Sequence, residues 1–105
     1  MIIACDFDGV IHNDKLPVKG KRMGEPMLGA VQAIEDLQEQ GHTIIIHTVR
    51  GNSPKHIEDW CTFYGIEPDG ITNIKPNADY YIDNKALTFS SWGQVLGIIG
   101  IDEED

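Results

Sequence analysis

Met1-Ile2-Ile3-Ala4-Cys5-Asp6-Phe7-Asp8-Gly9-Val10 reads as a short buried strand followed at once by two carboxylates and a glycine. The apolar run Met1–Cys5 has the length of a strand. Gly9 lets the backbone turn tightly after Asp8. In open α/β sheets, ligands bind at the carboxyl ends of strands. If the chain leaves the strand at Asp8, both acids face one cavity and offer oxygen ligands to a hard cation. An acidic turn with no further role is the plain alternative, since Asp-Gly is a common turn dipeptide. The rest of the chain has to decide between them.

Working outward, residues 11–25 show no hydrophobic period and are rich in Gly, Pro and charge; Lys15, Lys19, Lys21 and Arg22 are four of the chain's eight bases. Such a long stretch suits a flap on the substrate side of a site. Pro26 suits a first helical position, and Met27, Ala30, Val31, Ile34 and Leu37 then follow helical spacing up to a stop at Gly41. His42–His47 is a second strand, too uniformly apolar in its middle to have one wet face, as expected of a covered parallel strand. Ser53 and Pro54 open a helix with Ile57, Trp60, Cys61 and Tyr64 on one face, ended by Gly65. Ile71–Ile74 and Ala78–Ile82 are third and fourth strands, and Trp92, Val95, Leu96 and Ile99 mark a last helix. This alternation predicts an α/β fold: a three-layer α/β/α, Rossmann-like parallel sheet with helices on both faces and right-handed crossovers.

One domain over residues 1–105 accounts for the length. With 17 acids against 8 bases the formal charge is −9, which disfavours passive binding to nucleic-acid backbone or anionic membrane. Asp102-Glu103-Glu104-Asp105 reads as a solvated acidic tail. Cys5 and Cys61 each fall among apolar residues, as buried thiols rather than a disulfide or a metal pair. No run reaches transmembrane length, and Met1–Ala4 lacks the basic and long apolar regions of a signal peptide. A cytoplasmic setting is expected. No pair of the four histidines has convincing zinc spacing.

The strand ends carry the polar residues: Asp6 and Asp8 after the first, Thr48 and Arg50 after the second, Lys75 after the third, Asp83 and Asn84 after the fourth. In a parallel sheet all these ends lie on one edge. Phosphoryl transfer suits them: negative charge spread over equatorial oxygens calls for cations and hydrogen-bond donors, and a carboxylate can itself be the nucleophile.

In these residues the chain resembles the haloacid dehalogenase (HAD) superfamily of hydrolases, along nearly its whole length. Ile2-Ile3-Ala4-Cys5-Asp6-Phe7-Asp8-Gly9-Val10 matches the superfamily's first motif. Thr48 matches the second, Lys75 the third, and Tyr80-Tyr81-Ile82-Asp83-Asn84 the fourth. Lys75–Ala86 further resembles small, uncapped bacterial and phage members. The resemblance implies a magnesium-dependent phosphatase without a cap domain. Asp6 is then nucleophile and metal ligand, and Asp8 general acid and base with its carbonyl on the metal. Asp83 is the further protein ligand, and Thr48, Val49 and Lys75 bind phosphate. His12 and Arg50 are expected on the substrate side. Asn84 departs from the usual second acid and is left to orient a metal-bound water. Asp79, four residues before Asp83, is expected near the opposite end of the fourth strand, about 13 Å away.

Other readings remain at this level. A receiver-like phospho-acceptor gathers similar residues, though typically with its Asp after the third strand, where this chain has Asn73 and Lys75. A catalytically weak binding module is compatible with Asn84. A dehalogenase proper lacks the second Asp, so Asp8 argues against it. An uncapped site admits a small or macromolecular phosphorylated substrate, a phosphoprotein or a nucleic-acid end included. A second subunit could equally cover it. The charge weighs against nucleic acid.

Overall fold

The computed structural model of the chain describes residues 1–15, 23–49, 54–83 and 91–99. In order, these form β1 (Ile2–Asp6), α1 (Ala30–Glu39), β2 (Thr43–His47), α2 (Pro54–Tyr64), β3 (Gly70–Thr72), β4 (Tyr80–Ile82) and α3 (Trp92–Ile99). The expected Ser53 cap, residues 16–22 of the flap, Arg50, Asn84 and the tail 102–105 lie outside the described residues. All four strands pair in parallel, in the order β3-β2-β1-β4. The class is therefore α/β and Rossmann-like, as the alternation predicted.

The register shows which side is the core. Ile3 stands beside Ile44 and Tyr80, and Cys5 beside Ile46 and Ile82. Alternate residues of a strand share a face, so these residues line one side of the sheet. Ile3, Cys5, Ile44, Ile46 and Ile82 join Ala30, Ala33, Ile34 and Leu37 of α1, Ile57, Trp60 and Cys61 of α2, and Trp92, Val95 and Leu96 of α3 in one buried cluster.

All three described helices thus feed a single face. The expectation of helices on both faces is not met among the described residues. The reason lies in the connections. β1 to β2 to β3 steps in one direction, so right-handed crossovers put α1 and α2 on the same side. The return from β3 to β4 crosses two strands through residues 73–79, which form no helix. The other face carries Ala4, Ile45 and Tyr81, with Asp6 and His47 at its rim.

The start of α1 also differs from expectation. Pro26 is not the first helical residue: it bridges to His12, and the Met27 N–H donates to the Ile11 carbonyl at 2.7 Å. That extended pairing holds Pro26 and Met27 out of the helix, which begins at Ala30 behind Gly29 with φ 84°. The same pairing changes the flap. Its base is a short ladder in which the Asn13 N–H donates to the Glu25 carbonyl at 2.9 Å. Ile11 and His12, expected to begin a loop, are buried. The helix ends match the sequence. Gly41 and Gly65 take φ 90° and 78°. His42 N–H reaches back to the Leu37 carbonyl and Ile66 N–H to that of Cys61, the bond pattern that closes a helix through a left-handed residue.

Candidate active site

β1 ends at Asp6, and the Phe7 N–H extends its ladder by one bond to the His47 carbonyl, at 3.2 Å. The chain then curls. The Phe7 carbonyl accepts from the N–H groups of Val10, Ile11 and His12 at 3.4, 3.0 and 2.8 Å. Gly9 has φ 83°, a conformation that costs a residue with a side chain about 1–2 kcal/mol. This turn sets Asp8 just beyond the sheet edge. Thr48 follows β2, with its N–H on the Thr72 carbonyl at 2.9 Å, and Asp83 follows β4.

Asp6, Phe7, Asp8, His47, Thr48, Val49 and Asp83 line one cleft of about 330 Å³ at the carboxyl edge of the sheet. The Asp6 and Asp8 side chains are 37% and 34% exposed, open enough for a ligand to reach. Val49 is largely exposed. Five residues expected from the sequence are therefore together: Asp6, Asp8, Thr48, Val49 and Asp83. Among the described residues no three His, Cys, Asp or Glu side chains are grouped as a ready metal cage.

Two expected residues stand elsewhere. Lys75 does not line the cleft; its ammonium lies 4.7 Å from the centroid of the Tyr81 ring. Tyr81 pairs with Ala4, two residues before Asp6 on the same face. Lys75 is therefore held by a cation–π contact away from the cleft lining.

His12 is not on the substrate side. It is 3% exposed, with Nδ1 2.7 Å from Asp8 Oδ1 and Nε2 accepting the Gly24 N–H at 2.8 Å. The Phe7–His12 turn folds it back behind Asp8. Asp79 lies at the N-terminal end of β4, as expected, where its carboxylate accepts the Ile2 N–H at 2.8 Å. His56 is exposed, and His42 Nδ1 is 3.3 Å from the terminal ammonium.

One contact was not foreseen. His47 Nδ1 stands 3.4 Å from Asp6 Oδ1. The β1–β2 register pairs these residues directly, and register is what the sequence does not spell out. Beneath the site, Cys5 is fully buried. Burial, with the adjacent Asp6 adding to it, pushes its thiol up to about 12.

No protein-family model matches the chain, and no curated protein is similar to it. A solved structure is similar: that of a conserved protein coded by a locus from Bacteroides thetaiotaomicron. The likeness has a TM-score of 0.73 and 28% sequence identity, over 94% of this chain and 88% of that one.

Proposed function

We propose that the protein is a magnesium-dependent phosphomonoesterase of HAD-like type, working through an aspartyl-phosphate on Asp6. The observation that carries this reading is the meeting of Asp6, Asp8, Thr48 and Asp83, from the ends of β1, β2 and β4, in one open cleft. Magnesium takes oxygen ligands, keeps several waters and needs only one or two carboxylates. The Asp6 and Asp83 carboxylates, with the Asp8 carbonyl, are donors of that kind. Bound there, the ion offsets the charge of the phosphoryl oxygens.

An Asp6 oxygen attacks phosphorus, and the bond from phosphorus to the leaving oxygen breaks. Asp8 gives its proton to that oxygen and becomes a carboxylate. Water then attacks the aspartyl-phosphate; Asp8 takes the water's proton, Asp6 is restored and phosphate leaves. Thr48 and the backbone at Val49 hold the phosphoryl group. The placement of Lys75 on Tyr81 favours a second reading, in which Asp6 accepts phosphate but turns over slowly.

A panel of phosphate esters, with magnesium and with chelator, tests the proposal. Activity is expected with magnesium, lost with chelator and lost in Asp6→Asn. Full activity in a folded Asp6→Asn protein would overturn the nucleophile. A stable phospho-form without turnover would support the second reading.

A further inference from the structure

Behind Asp8 lies a buried polar relay that the proposed reaction does not itself require. The Gly24 N–H points at His12 Nε2 at 2.8 Å. A backbone N–H can only donate, so Nε2 is the acceptor and carries no proton. The ring proton is then on Nδ1, which donates to Asp8 Oδ1 at 2.7 Å.

The ring is also held on its faces and edge. Phe7 stacks on it with centroids 5.0 Å apart and planes 8° from parallel, and Trp60 meets it edge-on at 5.5 Å. Trp60 Nε1 donates to the Gly24 carbonyl at 2.9 Å. One indole therefore packs against the imidazole and also holds Gly24, the residue whose N–H meets His12 Nε2. Turning the ring over would break both of its hydrogen bonds at a buried site, where unmet polar groups are costly.

We infer that His12 is a positioning residue for Asp8: its Nδ1–H bond to Oδ1 holds the plane of the carboxyl group that gives and takes the proton. This rests on the proposed phosphatase reading. A carboxyl group free to rotate spends part of its time with its proton turned away from the leaving group. A fixed, neutral N–H donor on one oxygen restrains that rotation and holds the group's plane. The aid arises only where Asp8 moves a proton, so it depends on the leaving group.

The test uses the full chain with magnesium and two substitutions that separate the ring's nitrogens. Asn places an amide near the position of Nδ1, and Gln places one near that of Nε2. His12→Asn is expected to keep most single-turnover activity on an alkyl phosphate. His12→Gln is expected to lose about tenfold or more, within the range of general acid–base aid, with KM little changed. In both variants the nitrophenolate burst from nitrophenyl phosphate should persist, since that group leaves without a proton.

A fall of burst and alkyl turnover together, or equal losses in the two variants, overturns the role and leaves the phosphatase reading standing. Nitrogen NMR of the wild-type imidazole gives a readout that needs no activity: the Nδ1–H form is expected, and an Nε2–H form overturns the inference. A wild-type protein that hydrolyses no phosphomonoester, while its ring holds Nδ1–H, overturns the phosphatase reading and with it any catalytic service by His12.

Discussion

Asp6 and Asp8 are separated by one residue and differ in their neighbours. Asp6 ends a strand and meets His47 across the ladder at 3.4 Å, long for a hydrogen bond. Asp8 sits in a turn and meets a buried imidazole at 2.7 Å. In the proposed reaction, the looser contact suits the carboxylate that attacks phosphorus, and the tighter one suits the carboxylate that moves the proton. That division gives a prediction for Asp8→Asn. Without the proton donor, alkyl phosphates should fail at the first step. With nitrophenyl phosphate the first step should proceed, while hydrolysis slows by about a hundredfold or more. An acid-stable, hydroxylamine-labile adduct should then accumulate on Asp6, visible by intact mass after rapid acid quench. Full activity of Asp8→Asn on alkyl phosphates would remove Asp8 from the proton path, and an adduct mapped to another residue would move the nucleophile.

At the scale of the element, the strand end places Asp6 and the turn Phe7–His12 places Asp8. Its glycine was legible, because two acids and a glycine at a strand exit call for a reversal. Its histidine was not: His12 lies where apolar order gives way to a polar loop, and its burial depends on Gly24 and Trp60 coming from distant segments. Pro26 was misplaced for the same reason, since its pairing with His12 is tertiary and overrides a local preference. The turn yields its own prediction. Gly9 holds φ 83° and donates its N–H to the His12 carbonyl at 2.9 Å. Gly9→Ala should cost about 1–2 kcal/mol, lowering Tm by roughly 4–8 °C for each kcal/mol in a domain near this size. Alkyl-phosphate turnover should fall along with it, because the same turn places Asp8. Thermal unfolding beside single-turnover rates checks this; an unchanged Tm would show that the turn tolerates a side chain.

For the whole molecule, the parallel sheet was readable from alternating strand and helix patterns, and the carboxyl edge from where the acids fall. The layering was not, because handedness gives the direction of a crossover and not whether it holds a helix; residues 73–79 hold none. Among the described residues the core cluster therefore lies on one side of the sheet, and both thiols are buried in it. Burial, the main cause, pushes Cys5 and Cys61 from 9.0 up to about 12; Asp6 adds to the first and Glu58 to the second. Below about pH 9 both thiols keep their protons whether the chain is folded or unfolded, and neither costs stability. Above it the unfolded chain releases protons that the folded one retains. Stability should then fall by about 1.4 kcal/mol per pH unit for each thiol, until the folded thiols ionise near pH 12. Urea unfolding at about pH 8 and about pH 10 should show this loss in the wild type. A Cys5→Ala, Cys61→Ala protein, less stable at the lower pH because two cavities open in the core, should lose clearly less between the two. Other titrating groups act equally in both proteins, so the difference between the slopes isolates the thiols. Equal slopes would mean that the thiols ionise as readily in the folded core as in water.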